Sequence, residues 1–306
     1  MSKPGSFLLI LFIGGLIVFA ATQILAGDVE PDGAFSIFKL DSLLKAPVAS
    51  ETPSGIGTLP SVGGSSASGS SVSPAVQPPA GWTAAELSPY YGKVKVSGIK
   101  AVKAFPGESG FTLSAQYSNN ASLVVTGWRV KSNKGDILIP NAIADYIPFG
   151  IPSETLIVLD AGARVVVSSN ASPISQNLRM NACIGYLNER YKFPSSLPTS
   201  CPKPYSDRSE ISEFPGDCQS FILSMPSCHA PTAAELNRFS GYPYTACRAL
   251  LDKYSYASCY QAERGKSSFL SNEWRVWMNS YIPFDAAHDR ILLVDEKGLL
   301  VDQYLY

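Results

Sequence analysis

Six cysteines and two histidines are the side chains of this 306-residue sequence best suited to nucleophilic, basic or metal-ligating chemistry. Cys183, Cys201, Cys218, Cys228, Cys247 and Cys259 all lie in one quarter of the chain, and none forms a Cys-x-x-Cys pair. Compact structural zinc sites use that short spacing, so an even set of widely spaced cysteines points to disulfides and to an oxidising compartment. Cys218 to Cys228 and Cys247 to Cys259 both begin helical windows with apolar residues three and four positions on. Two such helices lying antiparallel would pair Cys218 with Cys259 and Cys228 with Cys247, leaving Cys183 for Cys201. Pairing of sequential neighbours is the simplest rival.

His229 follows Cys228 at an expected helix end, where it would cap a carbonyl, and His288 precedes Asp289 at the start of an expected strand. Ser109, within Gly107-Glu108-Ser109-Gly110, lacks the strand-to-helix setting of a nucleophile elbow. No phosphate-binding glycine loop, HExxH or EF-hand pattern occurs. The expectation is therefore a protein that is not an enzyme, with no catalytic, cofactor-binding or metal-binding residue and no cofactor. An exported hydrolase using His288 and Asp289 is the alternative from that class.

These residues need elements to hold them, and the chain divides by composition. Residues 7–26, FLLILFIGGLIVFAATQILA, carry no charge and match the length of a helix crossing a hydrocarbon core of roughly 30 Å. Lys3 precedes this run and Asp28, Glu30 and Asp32 come after it, which places the N-terminus in the cytoplasm and the remainder outside. A cleaved signal peptide ending near Ala26 is the competing reading, and either one exports residues 30 onward. Residues 27–46 form a juxtamembrane segment with Ile37, Leu40 and Leu44 at helical spacing. Residues 47–87, rich in Gly, Ser and Pro, are expected to be a disordered linker. With 24 basic and 25 acidic residues and a formal charge of -1, the chain offers no polycationic surface, and nucleic acid is not an expected partner.

Beyond Trp82 the pattern turns to short alternating runs. Lys93–Val96, Thr112–Tyr117, Leu123–Val125, Trp128–Lys131, Ile137–Ile139, Leu156–Leu159 and Arg164–Val167 are separated by turn residues such as Asn133-Lys134-Gly135. Arg290–Val294 and Leu299–Tyr304 flank Asp295-Glu296-Lys297-Gly298, a tight-hairpin signal. The fold class expected is mainly β: an antiparallel immunoglobulin-like β-sandwich formed by residues 88–182 and 286–306. Residues 183–285 would be a disulfide-stapled helical insert. Thr232 with Glu235 is a capping-box signal opening one helix, and Ser271 before NEWRVWMN opens another, on which Trp274, Trp277 and Met278 would form an apolar stripe. Tyr242, Tyr244, Tyr254, Tyr256, Tyr260 and Arg264 are types that anchor interfaces, with packing inside the insert as the plainer role.

Three of these stretches resemble the lamin-tail domain, an immunoglobulin-like sandwich also found in exported bacterial proteins: SNNASLVVTGWRV (118–130), LDAGARVVV (159–167) and the terminal ILLVDEKGLLVDQY. The resemblance covers about residues 92–175 and 288–306. It implies that Gly127 and Trp128 begin a strand whose indole fills the core. The second strand, FTLSAQY, departs from the family in lacking its acidic residue, and the cysteine-rich interruption resembles inserts in exported relatives. The resemblance implies a fold and a binding or scaffold role, and no reaction.

The function expected is a cell-surface protein, held to the membrane by its N-terminal helix and facing an unknown protein or envelope ligand. A self-assembling structural surface component is the further alternative.

Overall fold

The structure is a computed structural model that describes residues 77–102, 107–117 and 122–306. The anchor expected at 7–26, the juxtamembrane segment 27–46 and the linker as far as residue 76 lie outside the described residues. Among the described residues no helix is long and apolar enough to cross a membrane.

Thirteen strands dominate the described residues. In chain order they are β1 (Val94–Lys100), β2 (Gly110–Ala115), β3 (Leu123–Val124), β4 (Arg129–Ser132), β5 (Gly135–Leu138), β6 (Ala142–Ile143) and β7 (Glu154–Thr155). After these come β8 (Val158–Leu159), β9 (Arg164–Ser168), β10 (Leu178–Asn181), β11 (Leu270–Trp277), β12 (Arg290–Val294) and β13 (Leu300–Leu305). A seven-stranded sheet runs β1-β2-β9-β11-β10-β6-β7, a four-stranded sheet runs β13-β12-β4-β5, and β3 pairs with β8. Alternation builds the sandwich-like layers. Val94, Leu113, Val165 and Val276 of the large sheet meet Val130, Ile137, Ile291 and Leu293 of the small one in a single core. Trp128, 2% exposed, lies in that core immediately before β4.

The terminal hairpin shows how local chemistry sets register. Asp295 Oδ1 accepts from the amides of Lys297 at 2.9 Å and Leu299 at 3.0 Å, and Gly298 takes φ +80°, which an L side chain resists. The ladder shifts register beside this turn, between Leu293 and Val294. Residues 77–87, read from the sequence as the end of the linker, lie against the sandwich. Arg290 sits 5.7 Å from the centroid of the Trp82 ring, and Leu87 bridges to Leu300.

The largest departure from the sequence reading is β11. Where a helix over residues 272–279 opened by Ser271 was expected, residues 270–277 form a central strand that runs parallel to β9 and antiparallel to β10. Parallel pairs β9–β11 and β6–β10 also depart from the antiparallel arrangement expected. The physical reason is burial on both faces. Trp274 and Val276 enter the sandwich core, whereas Trp277 enters a second core on the other side of the sheet. A strand covered on both faces loses its period of two, and Trp274, Trp277 and Met278 then fall by coincidence at helical spacing.

Helical structure occupies the stretch between β10 and β11. Helices Leu187–Arg190, Gly216–Ser224, Ala233–Asn237, Thr245–Leu251 and Tyr256–Glu263 surround two small cores. The first joins Trp277, Met180 and Leu178 of the sheet to Tyr186, Leu187, Tyr256 and Tyr260. The second packs Ile222, Phe239, Leu250 and Leu251 among the helices themselves. The capping box at Thr232 and Glu235 opens the helix Ala233–Asn237.

Three disulfides staple these cores, in a pairing that neither arrangement drawn from spacing contained: Cys183–Cys259, Cys201–Cys228 and Cys218–Cys247. The crossed hairpin required one helix from Cys247 to Cys259. Instead the chain turns after Leu251 and Ser255 caps a new helix, its side chain accepting from the Ser258 amide. The break sends Cys247 into the inter-helix core and Cys259 into the core on the sheet. Among the described residues, the strand pairings, cores and disulfides join one part of 77–306 to another, so this stretch has the core and the staples of a domain that folds alone.

Candidate binding groove

A largely apolar hollow opens where the helical region meets the β6–β7 edge of the large sheet. This groove, of about 480 Å³, is lined by Tyr146, Pro148 and Phe149 from the β6–β7 loop, by Leu187, Glu189, Arg190 and Tyr191, and by Ala230, Thr232 and Tyr256. Apolar and aromatic walls with a few polar groups at the rim are the usual make-up of a ligand site.

Tyr256 fixes the loop wall. Its hydroxyl donates to the Tyr146 carbonyl at 2.6 Å and accepts from Asn181 Nδ2 at 2.9 Å. One turn later the Tyr260 hydroxyl donates to Asp145 Oδ2 at 2.6 Å. Burial, more than any neighbouring charge, raises the Tyr256 pKa far above the usual phenol range. For Tyr260 the hydrogen bond to Asp145 leads, with burial second. Both phenols therefore stay protonated donors. Tyr146 is likewise raised, by burial and then by the neighbouring Tyr191 phenol.

A histidine clamp holds the opposite wall. His229 Nδ1 lies 2.5 Å from Glu189 Oε1, and Nε2 lies 3.3 Å from Glu235 Oε2. The second oxygen of Glu189 accepts from the Ala230 amide at 2.9 Å. His229 thus links two helix ends through carboxylates, where the sequence pointed to carbonyl capping. Burial of the ring opposes its charged form, but the bonds and charges of Glu189 and then Glu235 outweigh it, and the pKa is raised. Held between two carboxylates, the imidazole serves as an electrostatic link between the elements that carry them.

His288 is exposed on the turn before β12 and lines none of the hollows described for the protein. Its neighbour Asp289 is buried, and the Asp289 carboxylate accepts from the amides of Asn133, Asp285 and Arg290, each at 2.8 Å. That carboxylate organises a turn. Ser109 is buried beside β2, where its amide donates to Ser169 Oγ at 3.0 Å and its hydroxyl has no hydrogen-bond partner among the described residues. Among the described residues no three His, Cys, Asp or Glu side chains gather as a metal site.

Of the residues singled out as interface types, Tyr254, Tyr256 and Tyr260 are buried. Tyr244 donates to Asp217 Oδ2 at 2.9 Å, Arg264 stacks over Tyr260 at 5.9 Å, and Tyr242 alone stands 97% exposed. Packing therefore accounts for most of that set. The groove also depends on Tyr146, Phe149 and Tyr191, which the sequence reading did not select. A signal was present in YIPFGIPS, an uncharged apolar stretch punctuated by two prolines.

Fold and site together define a sheet-rich, sandwich-like protein with a disulfide-stapled helical region and an aromatic groove at their junction. No protein-family model, no curated protein and no solved structure matches the chain.

Proposed function

We propose that this chain is a membrane-anchored, extracytoplasmic binding or scaffold protein that presents a lamin-tail-like, immunoglobulin-like sandwich on a Gly/Ser/Pro-rich stalk. The observation that carries the reading is the complete use of cysteine. All six are paired, and two of the three bonds staple the core beneath the aromatic groove. Such a pattern fits an oxidising compartment, where small cores are stabilised covalently. The uncharged run at 7–26 supplies the anchor in this reading, and the acidic residues after it supply the orientation. The groove of about 480 Å³, walled by Tyr146, Tyr191 and Tyr256, supplies a recognition surface.

Protease treatment of intact spheroplasts expressing the full chain tests the reading. External protease should release residues 77–306 as a fragment whose cysteines resist alkylation until reduced. A protected domain with free thiols would refute both compartment and orientation.

A further inference from the structure

Besides walling the groove through Phe149, the β6–β7 loop presents an apolar finger. Ile147 is 41% exposed, Phe149 85% and Ile151 97%, so three large apolar side chains within five residues face solvent. Single exposed apolar residues are common, but a contiguous cluster at a loop tip is not, and such clusters mark interaction surfaces. No charged side chain interrupts Tyr146 to Ser153, and Pro148 and Pro152 restrict the backbone around the tip. The base is rigid: Tyr256 holds the Tyr146 carbonyl and Tyr260 holds Asp145. A base tethered by two buried tyrosines thus presents a bare apolar tip.

We propose that this finger inserts into the interfacial layer of a lipid bilayer, with Phe149 and Ile151 entering the acyl boundary. The inference rests on the membrane-anchored reading above. If residues 7–26 lie in a bilayer, the fifty residues from 27 to 76 could span at most roughly 170 Å fully extended, so the same bilayer is within reach. Tyr146 and Tyr191 at the foot of the finger are amphipathic rings suited to the headgroup level. Arg190, stacked 5.4 Å over Tyr191, can keep its guanidinium in water while its stem lies along the apolar surface. Both charge signs flank the finger, Glu154 following it in sequence and Glu189 with Arg190 lining the groove, so burial of apolar surface drives the contact and anionic lipid is not required.

Flotation of disulfide-bonded residues 77–306 with vesicles of phosphatidylcholine tests this directly. The wild-type domain should float, and the double variant F149S/I151S should lose at least about tenfold in bound fraction, because two large apolar side chains no longer leave water. The thermal melt and all three disulfides should be retained, since both side chains already face solvent. A wild-type domain that stays with the soluble fraction, or a double variant that floats equally well, overturns the inference. So does a concentration-dependent dimer, lost in F149S/I151S, without flotation: the finger would then dock on a second copy. Alkaline extraction of membranes carrying the full chain separates this inference from the reading beneath it. A full chain that resists extraction while the domain fails to float leaves the anchor standing and removes the finger. A domain that floats while the full chain is extracted does the reverse.

Discussion

Cys183 and Cys259 stand 76 positions apart in sequence, yet their Cα atoms lie 5.8 Å apart and their sulfurs are bonded. The bond ties the end of β10 to the helix Tyr256–Glu263, so it closes nearly the whole helical region onto the sheet. The other two disulfides close separations of 27 and 29.

Loop-closure entropy then ranks the three. Removing Cys183–Cys259 by paired alanine substitution should cost about 4.5 kcal/mol, against about 3.5 kcal/mol for either of the others. Urea denaturation of the three double variants checks the order. Equal losses, or a smallest loss at Cys183–Cys259, would show that native packing and not chain entropy sets their value.

Tyr256→Phe keeps the ring in its core and removes the hydroxyl that links Tyr146 and Asn181. It should cost about 1 to 3 kcal/mol by leaving a buried amide and a carbonyl without their partner. Hydrogen exchange should quicken in residues 144–153 while β1, β2 and β9 keep their protection. Uniform quickening would mean that the loop is not a separate unit held by this hydroxyl.

Asp289 and His288 should respond oppositely. Asp289→Ala leaves the amides of Asn133, Asp285 and Arg290 without their acceptor and should destabilise by about 3 kcal/mol or more. His288→Ala, at an exposed position, should change stability by less than about 0.5 kcal/mol. Chemical denaturation of both variants decides the matter, and a large effect at His288 would expose an interaction absent from this structure.

The clamp on His229 gives a pH dependence with a fixed sign. Its folded pKa is raised above the ordinary 6.5, so the folded state holds the proton more tightly than the unfolded chain. That contribution is fully present below about 6.5 and is lost as pH rises through the folded value. The melting temperature of wild type minus that of His229→Gln should therefore be largest in mild acid and shrink on the alkaline side. A difference that grows with pH would reverse the assignment.

Legibility in the sequence tracked the range of the interaction. The runs at 164–167 and 290–293 are strands because alternation records one buried face, and the turn at Asp295–Gly298 is readable because its bonds span only a few residues. The Thr232–Glu235 cap was readable for the same reason. β11 was not: its two faces serve different cores, and with both buried the alternation that marks a strand vanishes.

From composition and spacing alone came a β-rich domain, a cysteine set meant for disulfides and an absence of recognisable catalytic motifs. Which cysteine meets which was decided by a chain break at residues 252–255, since it assigns Cys247 and Cys259 to different cores. The groove belongs to the tertiary structure in the same way. Tyr146 and Tyr256 are 110 positions apart, and only packing of the helical region on the sheet edge brings a hydroxyl to a carbonyl across that interval. Local bonds are written into neighbouring residues, whereas contacts between distant segments depend on how complete faces are buried, and no short stretch of sequence records that.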